Sequence, residues 1–200
     1  MTEGIPGPHG GQAYDGPQRG FGARLLGALK LDASVYEEVE HDRGALGQAA
    51  GVVALAALAQ GIGAASEGGL AVPLAGVLGA ILGWFLATAV IWLVGVQLLG
   101  HSSDYPELLR TTGFASAPAV LAALLILPLG PLRGLLGFGI WLLSIVAYVV
   151  AVRQALDTGT GRAIAVVLLA NVAALLLAAA LFFLLVGSVP GGGDPGAYMP

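Results

Sequence analysis

Cysteine is missing from the 200 residues, which removes disulfides, thiolate metal sites and cysteine nucleophiles. Charge is scarce as well: Asp, Glu, Lys and Arg make up 10% of the chain, against roughly 25% in soluble globular proteins. Apolar residues make up 57%. A water-soluble fold of this size needs far more charge to cover its surface, so the composition excludes one. The net charge of −4 argues against a nucleic-acid binder, because neutralising phosphates takes clustered Lys and Arg.

Ionisable groups are also missing from the middle of every long apolar stretch. Such a group is costly in lipid and marks ion coupling or intramembrane catalysis. Its absence disfavours an ion-coupled transporter and an enzyme alike. There is no His-Glu-x-x-His pattern and no buried aspartate pair, and Thr158-Gly-Thr-Gly161 lacks the lysine and the preceding strand of a phosphate loop. Ser144 has no histidine at its own depth, since the three histidines are His9, His41 and His101. The chain shows no catalytic residue and no site for a metal or cofactor.

What is present is long uncharged sequence. Between Gly44 and Gly193 the charged residues are Glu67, Asp104, Glu107, Arg110, Arg133, Arg153, Asp157 and Arg162. They leave stretches at 44–66, 68–103, 111–132, 134–152 and 163–193. A helix needs about 20 apolar residues to cross a bilayer, and backbone groups in lipid must pair internally. The reading is an all-α, polytopic membrane protein with five transmembrane helices, at about 45–65, 71–99, 111–128, 132–152 and 163–187, in a membrane domain over 44–188. The second helix is long enough to tilt, and Trp84 and Trp92 inside it read as packing residues. Pro128-Leu-Gly-Pro131 makes a tight turn before Arg133, and leaves a re-entrant path open for the third or fourth segment.

Residues 1–20 and 189–200 are Gly- and Pro-rich and read as disordered tails. Residues 21–43 read as a cytosolic segment of two short amphipathic helices lying at the membrane surface. Phe21, Leu25, Leu26 and Leu29 share one face of the first, with Arg24 and Lys30 off it. Asp32 and Ser34 offer N-caps for the second, Ser34-x-x-Glu37 fits a capping box, and Val35, Tyr36 and Val39 are its apolar positions. Arg19, Arg24, Lys30, Arg43, Arg110, Arg153 and Arg162 fall on one face of a five-span arrangement, and only Arg133 on the other. That bias places the N-terminus in the cytosol and the C-terminus outside.

Few polar residues enter the spans. Gln48 and Gln97 lie near span ends and read as interfacial. Gln60, Ser116, Ser144 and Asn171 are deeper and read as interhelical hydrogen-bond formers, with a polar path as the functional alternative. Gly47-x-x-x-Gly51 and Gly79-x-x-x-Gly83 fit close helix packing within the bundle, with a homo-oligomer as the lesser option. Two cytosolic loops are candidates for interaction. In the first, Asp104 or Tyr105 caps a helix beginning at Pro106, Glu107 suits its dipole, and Arg110 snorkels to the headgroups. In the second, Arg153 and Asp157 lie one turn apart and pair, and Arg162 opens the fifth span. The segment Asp32–Asp42 is acidic; Glu37, Glu38 and Glu40 read as a solvated face, or as a patch for a basic protein partner.

The order of these features resembles the Yip1 family, specifically its short bacterial members, over about residues 22–187. The resemblance is carried by Leu31-Asp-Ala-Ser-Val-Tyr36-Glu-Glu-Val, by Tyr105-Pro-Glu-Leu-Leu-Arg110-Thr-Thr-Gly113-Phe-Ala-Ser-Ala-Pro118, and by Trp141 through Arg153-Gln-Ala-Leu-Asp157 to Gly161-Arg162-Ala163. Gly113 and Pro118 are expected to loosen the third helix. The resemblance implies five membrane helices, a cytosolic N-terminus and, for a bacterial relative, the cytoplasmic membrane. Its eukaryotic members look like adaptors in vesicle traffic that bind Rab-type GTPases, although only about 43 residues precede the first span here. The resulting expectation is a non-enzymatic membrane adaptor or organiser, partnered by the lipid bilayer and by a protein on the cytosolic face. A small-solute facilitator lined by Gln60, Ser116 and Asn171, and a membrane-shaping protein acting through residues 21–30, are the alternatives.

Overall fold

A computed structural model describes residues 18–68 and 72–187; most of the two tails lies outside the described residues. The described chain is helical throughout. Two short helices, α1 (Phe21–Leu29) and α2 (Ala33–His41), precede five longer segments. These are α3 (Ala45–Gly68), α4 (Val72–Trp92) with a π-helical extension over Leu93–Leu98, α5 (Tyr105–Phe114) continued by a 3-10 helix over Ala117–Ile126, α6 (Leu132–Ala155), and α7 (Thr160–Gly187). Ala45–Ala64, Gly76–Leu98, Tyr105–Ile126 and Leu132–Ala155 are each long and apolar enough to cross a membrane, and Thr160–Leu176 of α7 is a further apolar helix. The outward faces carry Leu78, Leu86, Leu135 and Leu175, each about two-thirds exposed or more, as hydrocarbon-facing positions require. The protein is an all-α polytopic membrane protein.

The third span starts at Tyr105 rather than at 111, so Glu107 and Arg110 belong to its first turns. Its α-helix stops where the sequence weakens it. Gly113 precedes the change, and Pro118, buried at the start of the 3-10 stretch, has no N–H to give. Ten 3-10 residues rise about 20 Å, against about 15 Å for an α-helix, so the tighter winding lengthens the span. The third and fourth helices are both long enough to cross, and neither needs a re-entrant path.

Two cores hold the bundle. One joins α1 and α2 to α3 and α5 through Ala28, Val35, Tyr36, Val39, Ala49 and Leu109. The other joins the π-helical turn, the end of α6 and α7 through Val94, Leu108, Val152, Leu156 and Val166. Helix α1 packs on the 3-10 segment, and α2 packs on α5 and α6. The two short helices are therefore docked on the bundle, not merely laid on the lipid surface. Their buried face differs from the expected one: Arg24 and Ala28 point inward on α1, while Phe21 and Leu26 are exposed.

Glycine contacts also differ from expectation. A Cβ added at Gly47, Gly51, Gly79 or Gly83 would meet nothing within 4 Å, so neither GxxxG spacing makes a close helix contact within the bundle. Close approaches between spans fall elsewhere: at Gly63, where a Cβ would run into the Ala122 carbonyl oxygen, and at Gly113, where one would sit 2.7 Å from the Ala49 Cβ and 3.0 Å from the Trp84 ring. Beside Gly113, Trp84 Nε1 donates to Thr112 Oγ1 at 3.1 Å and the Thr88 and Thr112 hydroxyls meet at 2.9 Å. These buried side-chain hydrogen bonds join α4 to α5. Gln60, Ser144 and Asn171 instead donate to carbonyls one turn back in their own helices, those of Ala56, Ile140 and Val167.

Candidate functional site

Helix α2 begins because Asp32 caps it, its carboxylate accepting from the Ser34 N–H at 3.0 Å and from the Ser34 hydroxyl at 2.7 Å. The hydrogen bond from the Ser34 hydroxyl is the first cause holding the Asp32 carboxyl below the usual range. Ser34 serves as donor to the cap, and no Ser34–Glu37 capping box forms. The reciprocal box occurs at α5: Asp104 accepts from the Glu107 N–H at 2.7 Å, and Glu107 accepts from the Asp104 N–H at 3.0 Å.

Three arginines fasten the short helices, Arg24 and Arg110 buried and Arg19 half-buried. Arg24, 2% exposed, reaches Glu38, 1% exposed, at 2.9 Å, Asp42 at 2.7 Å and the Gln48 side-chain oxygen at 3.0 Å. Arg19 adds its N–H to Glu38 at 2.7 Å and its guanidinium to Ser34 at 2.9 Å. Arg110, buried on α5, donates from Nε to the Val39 and Glu40 carbonyls, each at 3.0 Å, and from Nη2 to the Glu40 carbonyl. Arg110 thus caps the end of α2 inside the protein, where the sequence suggested a side chain reaching for headgroups. Desolvation alone would raise the Asp42 carboxyl, but hydrogen bonds from Arg24 and the Gly44 N–H hold it below its ordinary value.

The acidic segment is only partly a surface. Glu37 is exposed, whereas Glu38 and Glu40 are buried, so the solvated face expected for all three reduces to Glu37 with Asp32 and part of Asp42. Burial pushes the Glu40 carboxyl up to about 8, helped by Asp157, Glu107 and Glu37 and opposed by Arg110. Helix α2 packs on α5 and α6, so the acidic helix lies beside the ends of the elements that carry the two loops. Asp104 and Asp157 are exposed, and Tyr105 and Glu107 are half-buried. The Tyr105 hydroxyl donates to the Phe85 carbonyl at 2.8 Å, and its ring meets Trp92 edge-on at 6.5 Å. Arg153 donates to Gln154 at 3.1 Å instead of pairing with Asp157, which takes a left-handed backbone at φ 44° after the helix ends. Arg162 is exposed on the first turn of α7. Among the described residues, no three His, Asp or Glu side chains group to hold a metal.

Gln60 and Ser116 line one cavity of about 730 Å3, and Asn171 lines an adjoining one of about 340 Å3. The sequence offered no sign of Thr88 or Thr112 as the polar seam, nor of the Arg24 burial, because their partners lie 24 and 14 residues away.

A five-helix membrane bundle with two docked N-terminal helices defines a class of polytopic membrane protein. Residues 33–183 match the Yip1 domain, and the chain belongs to the Yip1 family. No curated protein and no solved structure matches it.

Proposed function

We propose that this Yip1-family membrane protein is a non-enzymatic adaptor whose docking face is the platform formed by α1, α2 and the starts of α5 and α7. The observation that carries this reading is the packing of the acidic helix α2 on α5 and α6, where Arg110 of α5 holds the Val39 and Glu40 carbonyls. The Arg24 and Arg110 contacts fix that platform to the spans, so its exposed acids are presented in one geometry. A rigid acidic face suits a basic protein segment, and pre-organisation lowers the ordering cost of binding. The Lys and Arg bias supports a cytosolic platform in a bacterial cytoplasmic membrane, with the C-terminus outside.

The test is affinity purification from native membranes of the wild type and of a Glu37→Lys, Asp157→Lys variant. Both residues are exposed, and neither makes the Arg24–Glu38 or Arg110 contacts that fix the platform. A protein recovered stoichiometrically with the wild type and lost with the variant supports the adaptor. Recovery of the same proteins by both chains refutes it.

A further inference from the structure

The larger cavity differs in chemistry from the platform and sits deep among the spans. Small residues build its walls: Ala56 on α3, Ala80, Gly83 and Ala87 on α4, Ala119 on the 3-10 segment and Gly137 on α6. Arg133 stands at one end, donating to the carbonyls of Leu125 and Gly63, the latter at 3.1 Å. Trp84 and Tyr148 stand at the other. Arg133 and Tyr148 are both on α6, so the cavity runs about 22 Å at ~1.5 Å per residue.

Gly83 and Trp141, on opposite walls, are both exposed. Helix α4 packs chiefly on α3, α5 and α7, and α6 on α5, α7 and the 3-10 segment, which leaves α4 and α6 parted along this line. In a membrane-spanning bundle that opening faces hydrocarbon, and 730 Å3 lies within the ~300–1,000 Å3 range of ligand sites. Apolar walls keep water out, and an unfilled void forfeits the dispersion contacts of its lining. The polar exceptions are few and placed. Gln60 gives its amide N–H to Ala56 at 3.2 Å, which leaves the amide oxygen as an acceptor. Ser144 gives its hydroxyl proton to Ile140 at 2.9 Å and keeps its lone pairs. The smaller cavity shares Ala87, Trp141, Ser144 and Tyr148 with the larger, so the apolar volume continues toward α7.

We infer that the cleft between α4 and α6 is a lipid-binding site that takes one acyl chain lengthwise, with the polar end of the lipid at Arg133 and the chain running to Trp84 and Tyr148. The length, the sideways opening and the apolar walls match a hydrocarbon chain drawn from the surrounding bilayer. A small-residue wall is what leaves room for it. This inference does not depend on the platform binding a protein.

The experiment reconstitutes the full chain in vesicles of phosphatidylethanolamine and phosphatidylglycerol containing a phospholipid with a photoreactive group midway along one acyl chain. After irradiation, the labelled peptides are mapped. Labelling is expected to concentrate on cavity walls, at Ser116 and Ser144, over open lipid-facing positions such as Leu78 and Leu86. Gly83→Phe projects into the cleft from a position where a Cβ meets nothing within 4 Å. Losing the burial of about two methylenes lowers labelling there about tenfold. Gly137→Leu, whose Cβ would meet only Leu125 at 4.0 Å, gives a second blocked variant, and Gly134→Phe, in open space outside the cavity, leaves labelling unchanged. Even labelling around the bundle, indifferent to both blocked variants, overturns the inference. So does a disulfide-linked dimer formed through Gly83→Cys in this cysteine-free chain, which would put a second copy in the cleft.

Discussion

Arg24 and Glu38 meet at 2.9 Å with 2% and 1% of their side chains exposed, joining two helices that sequence patterning would lay separately on a lipid surface. A pair so removed from solvent is held by Asp42, Gln48 and Arg19 as well, which satisfies its remaining donors and acceptors. Breaking one side strands the other charge in a dry place.

Glu38→Ala should cost about 3 kcal/mol, because it leaves a buried guanidinium with part of its partners gone. The double variant Arg24→Met, Glu38→Met removes both charges and should cost less than Glu38→Ala alone. Thermal unfolding of the purified protein, with proteolysis of residues 21–43 as a second readout, separates the two. A double loss equal to the sum of the losses of Arg24→Met and Glu38→Met alone would show that the pair is not coupled.

Glu40 sets a pH dependence. Burial raises its carboxyl from about 4.5 in the unfolded chain to about 8 in the fold, so the folded state binds the proton more tightly. Its contribution is full below about 4.5 and is lost as pH rises toward about 8. The melting temperature should therefore fall across that window, and Glu40→Gln should flatten the fall. Asp157→Asn, which removes a like charge, should move the upper edge of the window downward. Asp32 and Asp42, held low, act only at more acid pH.

Arg110→Lys should loosen α2 although the charge is kept. One guanidinium reaches the Val39 and Glu40 carbonyls together, a geometry that a single ammonium does not reproduce. The expected loss is about 2 kcal/mol, the cost of leaving buried carbonyls unpaired. Hydrogen exchange should accelerate at the end of α2 and not in α7.

Gly113→Ala should destabilise by about 1–3 kcal/mol, since its Cβ would press on Ala49 and Trp84 at the crossing of α3, α4 and α5. Gly79→Ala, in open space, should be neutral or slightly stabilising, because alanine favours the helix. Melting of the two single variants checks the contrast.

The helices were legible because uncharged runs of span length admit little else. Gly113 and Pro118 were legible as a weak point, and the α-helix does stop at Phe114, between them. The site was harder to read. A charged residue near a membrane looks solvated or lipid-facing, and nothing local shows that Arg24 has Glu38 opposite it or that Arg110 reaches a carbonyl seventy residues away. The glycine spacings misled for a related reason: a spacing says that two backbones are able to approach, and only the tertiary arrangement decides whether they do. Gln60, Ser144 and Asn171 satisfied themselves within their own helices, the cheapest bond for a polar side chain in a span.

The most direct test of the platform is crosslinking from its exposed face. A photoreactive side chain replaces Glu37 in the full protein, a second variant carries it at Leu78 on the lipid-facing side of α4, and each is irradiated in native membranes. The account predicts one protein linked stoichiometrically through position 37 and absent from position 78. Bulk lipid alone at position 37, or the same proteins at both positions, would contradict it.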